Sequence, residues 1–125
     1  MIPVDTSVWS DHLRSGNARL VDLLQHGDVA MHPFVIGEIA CGSLSGRASI
    51  LQLLRDLPAV VVAGDDEVLG FIERHLLHGQ GIGYVDAHLL ASVVLTAGTS
   101  LWTRDKRLRP TAEGLGCAFR DSGAQ

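Results

Sequence analysis

Residues 1–14 read MIPVDTSVWSDHLR, and the passage from strand to helix within that stretch organises the rest of the chain. Met1 to Val4 is a short β-like run. Asp5 closes it, and Ser7 to Arg14 continues with Val8, Trp9 and Leu13 at helical spacing. The same succession recurs downstream. Further strands are expected at Val29 to His32, Val60 to Val62, Ser100 to Thr103 and Cys117 to Arg120. Helices are expected at Ala18 to Gln25, Phe34 to Cys41, Ala48 to Leu57, Asp65 to Leu77 and Val85 to Ala97. Pro33 suits the opening of a helix, Pro58 the end of one, and Gly79 and Gly98 suit C-terminal caps. Short strands alternating with longer helices indicate an α/β fold, a parallel sheet covered by helices. Pro3 is the irregular element, because proline cannot donate to a ladder and belongs at strand starts or edges.

A chain of 125 residues fits one domain, and 46% hydrophobic against 19% charged residues is a globular composition. No apolar run approaches the roughly 20 residues of a membrane span, and the first residues carry no basic, signal-like segment. A cytoplasmic protein with no membrane partner is expected. Cys41 and Cys117 form no Cys-x-x-Cys pair and are expected to be small core residues. Ser122 to Gln125 is expected to be a frayed tail. The net charge of −4 does not suggest a nucleic-acid partner. It does not exclude one either, because the four acids singled out below account for the whole excess.

Four carboxylates stand where a core should resist them. Glu38 lies three or four residues from Phe34, Val35 and Cys41 and is expected to share their apolar face, and Asp86 falls in line with Leu89, Leu90, Val93 and Val94. Asp5 follows the first strand and Asp105 the fourth, at the carboxyl ends where open α/β sheets gather ligands. Two carboxylates about 4 Å apart repel by roughly 4 kcal/mol at an effective dielectric near 20. Four together require raised pKa values or a cation, and an all-oxygen donor set suits magnesium or manganese better than zinc. Each acid also has an ordinary reading: helix caps for Asp5 and Asp86, a turn for Asp105, a buried arginine pair for Glu38. The signal lies in their joint placement.

The segments VDTSVW at 4–9, VIGEIACG at 35–42, GIGYVDAHLLA at 81–91 and LWTRDKRL at 101–108 together resemble the PIN-domain ribonucleases, especially the VapC-type toxins of bacterial toxin–antitoxin pairs. The resemblance spans nearly the whole chain. It implies a three-layer α/β/α sandwich around a short, mainly parallel sheet. It also implies that Asp5, Glu38, Asp86 and Asp105 bind Mg2+, with Mn2+ able to substitute, and that Thr6 and Thr103 support them. The activity implied is endoribonucleolytic cleavage of a transfer RNA or ribosomal RNA. The partners implied are a small cognate antitoxin and a second copy of the chain. An antitoxin helix or tail would lie in an apolar groove, for which Ile50, Leu51, Leu53, Leu54 and Leu57 offer a wall.

Metal-activated water attacking a backbone phosphorus would leave a 5′-phosphate and a 3′-hydroxyl. Arg104, Lys106, Arg107 and Arg109 beside Asp105 are candidate phosphate contacts, against an ordinary solvated turn. Gly79, Gly81 and Gly83 offer close backbone approach or a flexible connector. His75 and His78 have the spacing of paired ligands on one helix, although a surface or dipole role fits them better. Trp9 and Trp102 are candidates for base stacking, with core packing favoured by their apolar neighbours. A haloacid-dehalogenase-like phosphotransferase would want an aspartate where Ser7 stands, and a receiver domain would want paired acids after the first strand. The alternative from another class is a catalytically silent module that binds RNA or antitoxin.

Overall fold

A computed structural model describes residues 1–121, so the expected tail at 122–125 lies outside the described residues. The strands are very short. β1 (Ile2–Pro3) pairs in parallel with β2 (Val29–Ala30), and single parallel rungs extend the sheet at Val4 with Trp102, Met31 with Ala59, and Leu101 with Ala118. Across the sheet the segments therefore run 59–60, β2, β1, 101–102, 117–119. Each place the sequence assigns to a strand contributes, although the third pairs through Ala59 and Val60 and leaves Val61 and Val62 exposed.

Pro3 fits in the middle of this sheet. Residues 3 and 5 face the same neighbour: the Pro3 carbonyl accepts the Trp102 amide at 2.9 Å, and the Asp5 amide donates to the Trp102 carbonyl at 2.9 Å. Proline costs only one donor, at the beginning of the strand, where its absence is tolerated.

The helices are α1 (Thr6–Ser15), α2 (Ala18–Gln25), α3 (Pro33–Ala40), α4 (Arg47–Arg55), α5 (Asp65–Arg74), α6 (Tyr84–Leu95) and α7 (Leu108–Gly114). Pro33 is a first-turn proline, as expected. α6 is the central helix, burying Ala87 through Val93 without interruption. A helix apolar all round is one covered on every side. The core also takes Val4, Val8, Leu20, Val35, Leu101 and Leu108, and both tryptophans, Trp9 and Trp102, are buried in it. Core packing is thus their role, and neither can stack on a base.

Several boundaries differ from expectation. α5 stops at Arg74, not Leu77. The chain turns there through Leu76, at φ 54°, with the Leu77 amide reaching the Ile72 carbonyl at 3.0 Å and the Leu76 amide that of Glu73 at 3.4 Å. That is a Schellman cap with leucine where glycine is usual. His75 is the C-cap and His78 lies beyond it, so they do not share a helix as paired ligands would. α7 was not expected; Pro110 sits in its first turn, where the missing N–H has no intrahelical partner to lose. Cys117 is buried as expected, but Cys41 caps α3 on its exposed side. Among the described residues, no helix is long and apolar enough to cross a membrane.

Candidate functional site

Asp5 leaves the end of β1 and caps α1, buried to 6% exposure. Its Oδ2 accepts the hydroxyls of Ser7 and Thr103, each at 2.8 Å, and the Ser7 amide at 3.4 Å. Both hydroxyls are anchored in turn: Ser7 Oγ accepts the Arg104 amide at 3.1 Å, and Thr103 Oγ1 accepts the Asp105 amide at 3.1 Å. The loop after residue 103 is thereby tied to the start of α1. Ser7 is the residue the sequence reading missed. Its signal, a hydroxyl two positions after an acid, is also that of any helix start.

The other three acids are held in related ways. Asp105 Oδ1 accepts the amides of Arg107 at 2.8 Å and Leu108 at 3.0 Å, and these bonds hold its pKa below the ordinary carboxylate value. Glu38 Oε1 accepts the Thr6 hydroxyl at 2.7 Å. Asp86 Oδ2 accepts the Gly83 amide at a long 3.4 Å. The ordinary cap and turn roles are therefore real for Asp5, Asp86 and Asp105, and they coexist with the cluster. Glu38 forms no arginine pair, and the helix face expected for it is corrected: α3 turns Val35 and Ile39 inward, whereas Glu38, Phe34 and Cys41 lie on its exposed side. The apolar count around Glu38 was misleading because residues on both flanks of a helix lie three or four positions away.

Asp86 reports the neighbourhood of all four. Its pKa is raised, first by burial and then by the negative charges of Asp5, Asp105 and Glu38, with the Gly83 bond opposing. Among the described residues no lysine or arginine forms an ion pair with any of the four. Each gives one oxygen to the protein, and Asp5 Oδ1, Glu38 Oε2, Asp86 Oδ1 and Asp105 Oδ2 accept no hydrogen bond from the described residues. As they lie, no three histidine, cysteine or acidic side chains among the described residues close around a common point. The donor chemistry, hard oxygens with one lobe of each carboxylate spare, fits Mg2+ or Mn2+.

The remaining predicted residues divide. Lys106, Arg107 and Arg109 are exposed, and the Arg107 side chain lies against Gly81, where an added Cβ would meet its Cδ at 3.0 Å. Gly79, at φ 72°, and Gly81, at φ 78°, are thus the glycines of the connector that the backbone requires, and Gly81 is also closed in by Arg107. Arg104 is already engaged, with Asp121 at 3.2 Å, Asp11 at 3.8 Å and the Trp102 ring at 5.7 Å. Around the edge of Glu38 opens a groove of about 420 Å³, lined by Leu13 and Arg14 of α1, Ile39 of α3, the 42–45 loop and Ile50 of α4. Of the expected wall, Ile50 lines it. Leu51 and Leu57 are half-buried, Leu53 is exposed away from the lining, and Leu54 is a core residue.

Comparison with known proteins follows this geometry. The PIN domain profile matches residues 2–114. The chain is 49% identical over 121 residues to Ribonuclease VapC32 from each of two strains of Mycobacterium tuberculosis, covering 97% of this chain and 98% of that protein. Among solved structures, that of FitAcB from Neisseria gonorrhoeae superposes with a TM-score of 0.60 at 22% identity, covering 90% of this chain and 94% of the other. At that identity the likeness is one of fold.

Proposed function

The chain belongs to the PIN-domain family, and on that premise we propose that it is a divalent-metal-dependent endoribonuclease, the toxin of a toxin–antitoxin pair. The observation that carries the reading is the state of the four carboxylates. Asp5, Glu38, Asp86 and Asp105 each have one oxygen fixed by the protein and one spare, with no cationic side chain paired to them. A purely structural cluster would be relieved by losing any one acid. Its 49% identity to a protein named a ribonuclease points the chemistry toward RNA.

When bound, Mg2+ or Mn2+ supplies Lewis acidity toward an attacking water and the phosphate. Asp5 and Asp86 would be the primary ligands, with Glu38 and Asp105 completing the coordination or acting through water. Ser7 and Thr103 hold Asp5, Thr6 holds Glu38, and the Arg107 and Leu108 amides hold Asp105, so these carboxylates would be ordered before an ion binds. Lys106 and Arg107 contact substrate phosphates and set the strand's register. A structured RNA, a transfer RNA or ribosomal RNA loop, is the substrate class. The antitoxin lays an apolar segment in the groove between α1, α3 and α4 and reaches Glu38 from there. The protein acts in the cytoplasm as a homodimer.

The test is to incubate wild type and Asp5→Asn with total cellular RNA, with Mg2+, with Mn2+ and with chelator, and to sequence the fragment ends. Metal-dependent cuts at discrete sites bearing 5′-phosphates, absent from the variant, are expected. Metal-independent 2′,3′-cyclic phosphate ends would overturn the mechanism.

A further inference from the structure

Charge is unevenly spread along this chain. Residues 104–120 hold five of its ten cations and two of its fourteen acids, a surplus of three in a protein of net charge −4. Part of that surplus is already committed: Arg104 is engaged with Asp121 and Asp11, and the Arg107 side chain lies on Gly81. Arg109 and Arg120 are exposed and form no ion pair among the described residues. Both line one groove, of about 220 Å³, together with Glu113, Gly116, Ala118 and Phe119.

The backbone adds a donor to this groove. Segment 117–119 is the outermost of the sheet on its side. The Cys117 carbonyl accepts the Leu101 amide at 2.6 Å, and the Phe119 amide donates to the Leu101 carbonyl at 2.8 Å. In such a parallel ladder the residue between directs its own amide and carbonyl the other way, and neither group of Ala118 has a partner among the described residues. Ala118 and Phe119 alternate between the two faces of the sheet, yet both line the groove. It therefore opens on the border itself, where the Ala118 amide points. The Phe119 ring is held by Trp102, at 5.5 Å between centroids, and by the Arg19 guanidinium, 5.8 Å from its centroid. The arginines stand at the carboxyl end of the strands: the Arg109 amide donates to the Asp105 carbonyl at 3.0 Å, and Arg120 directly follows segment 117–119. None of the four site acids lines the groove.

We propose that this groove is a phosphate-binding site, separate from the four carboxylates and needing no metal. Two guanidinium forks and a peptide N–H without an acceptor are the donors that phosphate oxygens take. Glu113, one turn after Arg109, is the one acid of the lining, so two cations stand against one acid and the site suits a single phosphate group. A free phosphate and a backbone phosphate of RNA offer the same chemistry. The site itself does not depend on the nuclease reading above; on that reading the phosphate is a backbone one away from the cut, and it fixes the register of the strand.

The test follows backbone amides by NMR at low salt in chelator, with inorganic phosphate as one probe and a short single-stranded RNA of mixed sequence as the other. Phosphate should move the Ala118 and Arg120 amides in a saturable way, and chloride at equal ionic strength should not. Arg120→Gln should weaken that response by about tenfold, the effect of losing one charge-assisted contact. Arg120→Lys should weaken it less, since the ammonium keeps the charge and loses the fork. Glu113→Gln should tighten it, and Arg55→Gln, at an exposed arginine elsewhere, should leave it unchanged. With RNA, Arg120→Gln should lower affinity and flatten the salt dependence by about 0.7 in log–log slope. Unchanged RNA binding beside an intact phosphate response would assign the site to free phosphate. Ala118 and Arg120 amides that ignore phosphate would overturn the site, even with RNA binding weakened by Arg120→Gln, which would make that arginine a loose surface contact. A phosphate response that survives both Arg109→Gln and Arg120→Gln would overturn it as well. A phosphate response without Mg2+-dependent cleavage of total RNA by wild type would sink the nuclease reading and leave this site standing.

Discussion

Thr103→Val removes one hydroxyl from the wall of the acid cluster at nearly constant volume. In the native protein that hydroxyl donates to Asp5 Oδ2 at 2.8 Å and accepts the Asp105 amide at 3.1 Å. A hydrogen bond to a charged group contributes ~1.5–3 kcal/mol, and Thr103, at 4% exposure, leaves water no room to replace it. Two features hold the loss to the lower part of that range. Ser7 Oγ still donates to the same oxygen at 2.8 Å, and the released amide belongs to exposed Asp105, where water can reach it. Urea unfolding at pH 7 should therefore show about 2 kcal/mol less stability. On the proposed metal role of Asp5, calorimetry should show Mg2+ binding weakened by roughly tenfold or more, because that carboxylate is no longer held. Thr103→Ser should restore both. Ser7→Ala alone should cost about 1 kcal/mol. Combined with Thr103→Val it should exceed the sum of the two by ~1 kcal/mol, since Oδ2 then keeps only the Ser7 amide at 3.4 Å. A Thr103→Val protein that unfolds at the wild-type midpoint would refute the clamp.

Three further outcomes follow from other sites. Asp86 has a folded pKa above the ordinary 3.8, so its ionised form opposes folding once the pH exceeds that raised value, and the penalty is absent below about 3.8. Asp86→Asn should thus melt higher than wild type at pH 7 without metal, with the gain gone at pH 3; equal melting at pH 7 counts against the charge cluster. His32 is buried with its pKa lowered from 6.5 to about 4, first by burial and then by His88, and its Nδ1 must stay unprotonated to accept the Phe34 amide. A depressed histidine stabilises above 6.5 and loses that contribution as the pH falls toward 4, on the order of 3 kcal/mol. His32→Asn should remove that slope in denaturant titrations, and parallel curves for both proteins would reject it. Leu76, at φ 54° and 64% exposed, strains the α5 cap while packing little. Leu76→Gly should raise stability by about 0.5–1 kcal/mol, and a loss would show that the leucine makes contacts worth more than the strain.

Much of this architecture is legible from local chemistry. The alternation of short β-runs with amphipathic stretches locates the sheet segments, with the third shifted by one residue to pair through Ala59, because a strand of two or three residues still has to be apolar to lie between helices. What escapes is set by longer-range packing. α7 is hidden by Pro110, which reads as a breaker until Asp105 is seen capping the turn before it. The α5 boundary is hidden because a leucine takes a glycine's conformation at residue 76. For the site, the acids are conspicuous as charges at strand ends, but the face of Glu38 was misassigned, since α3 has apolar residues on both sides of it. Ser7 is invisible for the opposite reason: a serine at a helix start is ordinary. Only the fold brings it against residue 103.

The third strand ends after Val60, and the next amides are taken by hydroxyls of the helix layer: Val61 N–H donates to Thr96 Oγ1 at 2.9 Å, and Ala63 N–H to Ser92 Oγ at 3.1 Å. This segment is the sheet's outer border, and Val61 and Val62 are 56% and 46% exposed beside it. An apolar border with free amides is a template on which another chain can add a strand, the first step toward fibrous aggregates. Thr96 and Ser92 take two of those donors, the Val61 and Ala63 amides, from within the molecule. The two solvent-facing valines at this margin therefore sit on a border that offers fewer free donors to an incoming strand, and removing either hydroxyl should raise aggregation on overexpression.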